Sequence, residues 1–91
     1  MSYQLVFTEQ YVKRAKRFLK RHPDLASHYL KTLRLLEANP FHPSLRLHRL
    51  SGRLDGLYSV SITLSYRLTL EFLIKGEEIV PVDVGDHDAV Y

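Results

Sequence analysis

The residue best suited to proton transfer is His87, which stands between Asp86 and Asp88 near the end of the sequence. An imidazole has an ordinary pKa of about 6.5, so it can both donate and accept a proton at neutral pH. Nearby carboxylates favour the protonated form, which suits a general acid better than a base. The alternative is that His87 only caps the turn after the last strand.

Arg67 is the second candidate, because it lies in the alternating segment 66–72 (YRLTLEF). A guanidinium held on a strand binds a phosphate through two parallel hydrogen bonds, which a lysine ammonium does not. Glu71 lies on the same side of the alternation as Arg67. A structural ion pair between the two is therefore the alternative.

Positive charge is concentrated in the first half of the chain. Residues 1–50 contain ten Lys and Arg against three Asp and Glu, whereas residues 51–91 contain three against seven. This division favours an anionic partner, and nucleic acid is the commonest one for a small basic protein. Two groups of cations are expected to contact phosphates: Lys13, Arg14, Lys16, Arg17, Lys20 and Arg21 in the first predicted helix, and Arg46, Arg49 and Arg53 further along. A solvated surface is the alternative for the helix.

Other classes of site find no support in the composition. The chain has no cysteine, so disulfides and cysteine-ligated zinc are excluded, and a reducing compartment fits. Neither His22 with His28 nor His42 with His48 has metal-ligand spacing, so no metal or other cofactor is expected. Without a leader-like start or an apolar run of about 18 residues, we expect a cytoplasmic protein outside the membrane.

The first half predicts a strand and two helices. Residues 3–7 (YQLVF) are typical of a strand, and Thr8 is an N-cap candidate with Glu9 in the first turn. Apolar residues at helical spacing predict a first helix that ends at Arg21. A second helix starts at His22-Pro23 and ends at Asn39-Pro40. Two helices joined so tightly indicate an antiparallel hairpin.

The second half predicts a three-stranded antiparallel meander. Tyr58 to Leu64, 66–72 and Val80 to Val84 alternate with period two, and 41–55 is an irregular connection with room for a short strand. The small polar residues of the first strand leave one face open to a ligand. Pro81 belongs at an edge or a bulge. The order β-α-α-β-β-β predicts a single α+β domain over 1–91.

With these elements in place, the sequence resembles the RelE/ParE superfamily of bacterial toxins, and more closely its YafQ-type branch. The resemblance rests on the basic helical hairpin, "LHRLSGRLDGLYSVSI", "YRLTLEF" and the terminal "VDVGDHDAVY". It implies an mRNA interferase, an endoribonuclease that cuts messages in the ribosomal A site and is held inactive in a complex with an antitoxin protein. ParE-like relatives instead poison DNA gyrase, and an inactive relative that only forms the complex is a third alternative.

The resemblance also implies roles for single residues. Metal-independent RNA cleavage needs a base for the 2′-hydroxyl, an acid for the 5′-oxygen and a cation for the phosphorane. By position, His87 matches the acid, His48 the base and Arg67 the cation, while Tyr91 matches an aromatic residue that orients a base. The alternatives are that His48 is only a surface residue and that Tyr91 packs back on the sheet. YafQ-like enzymes have a further histidine and aspartate where this chain has Ser61 or Thr63 and Ser65.

Overall fold

The computed structural model describes residues 3–73 and 76–86 of the 91-residue chain. The strands and helices follow each other as β1 (Gln4–Leu5), α1 (Glu9–Arg21), α2 (Ala26–Ala38), β2 (His48–Arg49), β3 (Tyr58–Ser61), β4 (Tyr66–Leu73) and β5 (Glu78–Asp86). The strands form a five-stranded sheet in the order β1-β5-β4-β3-β2. β1 runs parallel to β5, and the remaining pairs are antiparallel. The predicted α+β class and its meander are confirmed.

Both helix boundaries of α1 follow from local chemistry. The Thr8 side chain accepts a hydrogen bond from the Tyr11 amide at 3.1 Å, so one of the unpaired amides of the first turn is satisfied. At the other end, His22 leaves the helical region of backbone conformation. A 3-10 turn at Pro23–Leu25 then leads directly into α2, as the position of the proline predicts.

The helices pack on one face of the sheet. Buried side chains from both helices and from the central strands form one apolar cluster, whose members include Tyr11, Phe18, Tyr29, Leu36, Leu45, Val60, Leu68, Leu70 and Ile79. Inside it, the Tyr11 and Tyr29 hydroxyls share a hydrogen bond of 2.5 Å. Burial raises the pKa of both tyrosines, because it disfavours the charged phenolate.

Pro81 lies at a β-bulge, as its lack of an amide hydrogen predicts. The β4–β5 register passes from Thr69 opposite Asp83 to Leu70 opposite Pro81, so Val82 is the additional residue. The Arg14 side chain reaches from α1 and donates to the Val82 carbonyl at 3.0 Å. Helix α1 therefore satisfies a backbone group that the irregular ladder leaves exposed.

The first meander strand is shorter than predicted. β3 ends at Ser61, and the amides of Ile62 and Thr63 both point at the carbonyl of Tyr66, which closes a turn into β4. Leu64, assigned to the strand from its alternation, is 81% exposed in this turn. The short strand expected in 41–55 is β2. Within the described residues, neither helix is long and apolar enough to cross a membrane.

Candidate functional site

Three strands place His48, Ser59 and Arg67 on the face of the sheet opposite the helices. His48 in β2 lies opposite Ser59 in β3, and Arg67 in β4 lies opposite Ser61. Because side chains two residues apart share a face, Ser59 and Ser61 point to the same side as Arg67. The register alone therefore brings a histidine, two hydroxyls and a guanidinium together.

Arg67 is held in a defined orientation. Its Nε donates to Ser59 Oγ at 2.8 Å, and its Nη2 lies 3.3 Å from His48 Nδ1. A guanidinium has five N–H donors, so three remain without a partner among the described residues when His48 Nδ1 accepts, and four when Nδ1 carries a proton. The alternative pairing with Glu71 is not formed, since no ion pair within 3–73 and 76–86 includes Arg67.

His48 has two competing neighbours at the same nitrogen. Nδ1 lies 3.2 Å from the carbonyl oxygen of Arg46 and 3.3 Å from Arg67 Nη2. If Nδ1 carries the proton, it donates to Arg46 and leaves Nε2 as an acceptor; if it does not, it accepts from Arg67. Only the first tautomer leaves Nε2 able to take a proton from a substrate.

The backbone of Arg46 helps to create this choice. Arg46 has a φ of 51°, in the left-handed region, at the end of the 3-10 turn Pro43–Leu45. Such a conformation is costly for any residue with a Cβ atom. It gives the chain the change of direction that leads into β2, where the Arg46 carbonyl meets the His48 ring.

The polar face is less open than the sequence indicated. Ser59 and Thr69 are buried, and Ser61 is half-buried. The hydroxyls of Ser61 and Thr69 are enclosed and have no hydrogen-bond partner among the residues that the structure describes. The prediction of a ligand-accessible serine face was therefore wrong for Ser59, since it is used to hold Arg67 instead.

Two of the predicted catalytic residues, His87 and Tyr91, lie outside the described residues. The described part of β5 ends at Asp86, which pairs with Tyr66, and Gly85 pairs with Arg67. His87 follows Gly85 by two positions in the sequence. Both roles remain predictions.

The predicted phosphate-contacting cations occupy separate surfaces. Arg46 and Arg53 are exposed, and Arg49 forms an ion pair with Asp55 at 3.5 Å. On α1, Lys13, Lys16, Arg17 and Lys20 are exposed. Lys13 and Lys16 line a shallow depression beside Phe7, whereas Arg17 lines a groove at the other end of the helix. Lys20 also lies in the last turn, where a cation stabilises the helix dipole.

Sequence reasoning did not identify Ser59 as the partner of Arg67. The small residues that alternate along β3 indicate a serine as a partner for Arg67. Which serine it is depends on the β3–β4 register, which the sequence does not give. Among the residues the structure describes, no three His, Cys, Asp or Glu side chains are grouped so that they could hold a metal ion.

No protein-family model matches the chain, and no curated protein matches its sequence. Solved structures of small bacterial toxins and toxin–antitoxin complexes do match its fold. A chain of the E. coli DinJ–YafQ toxin–antitoxin complex superposes with a TM-score of 0.78 at 20% identity, covering 100% of this chain and 99% of that chain.

Two further structures are similar over nearly the same length. The YoeB/ParE toxin from Agrobacterium tumefaciens has a TM-score of 0.74 at 18% identity, covering 92% of this chain and 98% of its own. A chain of the YoeB–YefM complex from Staphylococcus aureus has a TM-score of 0.71 at 18% identity, with 96% and 99% covered. The fold is that of RelE/ParE-type toxins, as the sequence resemblance predicted.

Proposed function

We propose that this chain, as a single domain, is the toxin of a toxin–antitoxin system and a ribosome-dependent mRNA endonuclease. The observation that supports the proposal best is the arrangement of Arg67, which Ser59 holds beside His48 on one face of the sheet. A fixed cation next to a proton-transfer group suits an enzyme that stabilises a phosphorane. The similarity to YafQ and YoeB structures supports the same class.

In the proposed reaction, His48 Nε2 takes the proton of the 2′-hydroxyl as that oxygen attacks the neighbouring phosphorus. The unpaired N–H groups of Arg67 stabilise the additional negative charge on the phosphorane. His87 donates its proton to the departing 5′-oxygen. The products are a 2′,3′-cyclic phosphate and a 5′-hydroxyl end, and the reaction needs no metal or other cofactor.

The remaining residues are proposed to position the message. Tyr91 orients an exposed base by stacking. The exposed cations contact phosphates of mRNA or ribosomal RNA without recognising the base sequence. These cations are Lys13, Lys16, Lys20, Arg17, Arg46, Arg49 and Arg53. For Arg49, this contact requires that the exposed pair with Asp55 opens, which costs little in water.

The proposed partners are the ribosome and a cognate antitoxin, and the proposed site of action is the cytoplasm. The similar toxins in the DinJ–YafQ and YoeB–YefM structures are bound in toxin–antitoxin complexes. A basic small domain commonly binds an acidic, partly disordered segment that folds on it. We therefore propose a toxin–antitoxin hetero-oligomer for this chain as well.

The test is in vitro translation of a defined mRNA with the full-length protein and with His87→Ala, Arg67→Lys and a Lys31→Gln control on α2. New 5′ ends are mapped by primer extension, and their hydroxyl chemistry is checked by direct labelling with polynucleotide kinase. We expect ribosome-dependent 5′-hydroxyl ends with wild type and control, and their loss in both site variants. Cuts that persist in His87→Ala would relocate the acid.

The runner-up is inhibition of DNA gyrase without nuclease activity. It is favoured by the similarity to a toxin described as YoeB/ParE, and the family resemblance implies an arginine at the Arg67 position for both classes. This function needs neither His48 nor His87. An absence of new RNA ends with wild type, together with inhibition of gyrase supercoiling, would replace the nuclease proposal by this one; absence of both activities would indicate an inactive relative.

A further inference from the structure

A second polar surface lies on the helix side of the sheet, outside the site around Arg67. It is a groove of about 360 Å³ between α1 and the end of β5. Arg14, Arg17, Arg21 and His22 line it from α1 and its C-terminal end, and Asp83 and Asp86 line it from β5. This volume falls within the range of small-ligand sites.

An aromatic group forms one end of this groove. The His22 ring, which is half-buried, lies 5.0 Å from the Phe18 ring and 4.8 Å from the Tyr66 ring. Phe18 and Tyr66 contact each other edge to face at 5.6 Å. His22 is therefore held from two sides by aromatic neighbours, with its remaining surface at the groove.

The cations of the groove differ in how they are used. Arg14 donates to the Val82 carbonyl and lies 4.0 Å from Asp83, so its charge is partly neutralised. Arg17 and Arg21 are exposed, lie one turn apart on α1, and take part in no ion pair within the described residues. The groove therefore offers two adjacent guanidinium groups beside a fixed aromatic ring, with the exposed Asp86 as the second acidic residue of its lining.

We propose that this groove binds one unpaired nucleotide of an RNA, with its base against His22 and a phosphate between Arg17 and Arg21. The inference rests on the proposed function for its substrate class and adds a second binding subsite to it. Tyr66 and Arg67 are consecutive in β4 and point to opposite faces. An RNA strand that passes around this end of the sheet can contact both the Arg67 site and the groove.

The aromatic ring favours RNA over an acidic peptide as the occupant. Arginines form bidentate pairs with carboxylates and with phosphates, so the cations alone do not separate the two. Unpaired bases, however, are recognised by stacking on aromatic rings including histidine. A carboxylate is not attracted to the negative face of an aromatic ring; it can accept a hydrogen bond from the imidazole N–H, which His22→Phe removes. The combination of ring and cations is the arrangement of single-strand binding sites.

The test measures fluorescence anisotropy of a labelled, unstructured RNA of about ten nucleotides, within the usual range of site sizes. The full-length protein is titrated at several KCl concentrations without ribosomes. The variants are Arg17→Gln/Arg21→Gln, His22→Ala and His22→Phe, and Lys31→Gln/Arg34→Gln on α2 serves as the charge-matched control. Circular dichroism melting checks that every variant is folded.

Three results are expected. Removal of both arginines weakens binding and lowers the salt dependence, by about 0.7 in the slope of log K against log salt for each phosphate that the protein no longer neutralises. His22→Ala weakens binding roughly 5- to 150-fold, the range for one stacked base, whereas His22→Phe stays near wild type. The α2 control loses less affinity than the α1 pair, although both remove two charges.

Two results would overturn the proposal. One is equal loss in the α1 pair and the α2 control with no effect of His22→Ala, which would mean binding by diffuse charge alone. The other is that polyglutamate displaces the RNA from the wild type and binds more weakly to the same variants. This result would assign the groove to an acidic peptide. Binding is read without cleavage, so failure of the nuclease proposal leaves this result interpretable.

Discussion

Arg67 Nε donates to Ser59 Oγ at 2.8 Å, although Ser61 and not Ser59 lies directly opposite Arg67 in the sheet. The arginine side chain therefore runs diagonally along β3 towards β2, where His48 pairs with Ser59. Had the side chain pointed straight across, the guanidinium would lie at Ser61, away from the histidine. The hydroxyl of Ser59 is thus proposed to set the direction of the phosphate-binding group.

Ser59→Ala is expected to lower the rate of RNA cleavage about 10-fold, since it removes the bond that orients Arg67, and to destabilise the fold by about 1 kcal/mol. Ser61→Ala is the matched control. Its buried hydroxyl has no partner within the described part of the chain, so its removal is expected to leave both rate and stability unchanged or slightly improved. Cleavage is measured in the translation assay, and stability by urea unfolding. Equal effects of the two substitutions would show that Ser59 does not position Arg67.

Arg46 allows a test of strain and charge at one position. Its φ of 51° predicts that Arg46→Gly is more stable than Arg46→Ala by about 1 kcal/mol, because only glycine adopts this conformation without steric cost. Both substitutions remove the same cation, so RNA affinity is expected to fall equally in the two proteins. Urea unfolding and anisotropy measure the two quantities separately. Equal stability of Arg46→Ala and Arg46→Gly would mean that residue 46 does not adopt the left-handed conformation.

Local patterns were sufficient to predict the helices, the meander and the special position of Pro81. Thr8 caps α1, and Pro23 opens the turn into α2, since these effects depend on residues close in sequence. The parallel pairing of Gln4–Leu5 with β5 was not predicted, because it joins segments more than seventy residues apart. The assignment of Leu64 to a strand was wrong for a related reason, because alternation alone does not show where a strand ends.

The residues of the candidate site were predictable from the sequence, but the contacts between them were not. Residue chemistry identified Arg67, and the resemblance added His48, but neither could show that the two side chains meet. That contact depends on two consecutive strand registers, His48 with Ser59 and Ser61 with Arg67. The alternative pairing of Arg67 with Glu71 was equally reasonable from the sequence. It is absent in the described residues, where Arg67 contacts Ser59 and His48 instead.

The Tyr11–Tyr29 hydrogen bond is expected to be a main link between the two helices. Tyr11→Phe or Tyr29→Phe alone leaves the other hydroxyl unpaired inside the core, and each is expected to cost about 1–3 kcal/mol of unfolding free energy. The double variant removes both polar groups and is expected to cost less than the sum of the single variants. A double-mutant cycle by urea unfolding measures this coupling. Strict additivity would mean that the two hydroxyls do not interact.

The same pair predicts a loss of stability in alkali. Burial, followed by the hydrogen bond to Tyr29, raises the pKa of Tyr11 above its ordinary value of 10.0, and burial also raises that of Tyr29. Above about pH 10 the unfolded chain therefore releases phenolic protons that the native chain keeps. The stabilisation by the protonated form is complete below this pH and decreases as the pH rises.

For Tyr11 this decrease is about 1.4 kcal/mol per pH unit, as long as the native side chain stays protonated. Lysines also titrate in alkali, so the wild type is compared with Tyr11→Phe/Tyr29→Phe by urea unfolding from about pH 8 to pH 11. We expect the two unfolding free energies to run parallel below pH 10 and the wild type to lose stability more steeply above it. Parallel curves throughout would mean that the native phenols ionise as readily as unfolded ones, and hence that the hydroxyl pair is accessible to water.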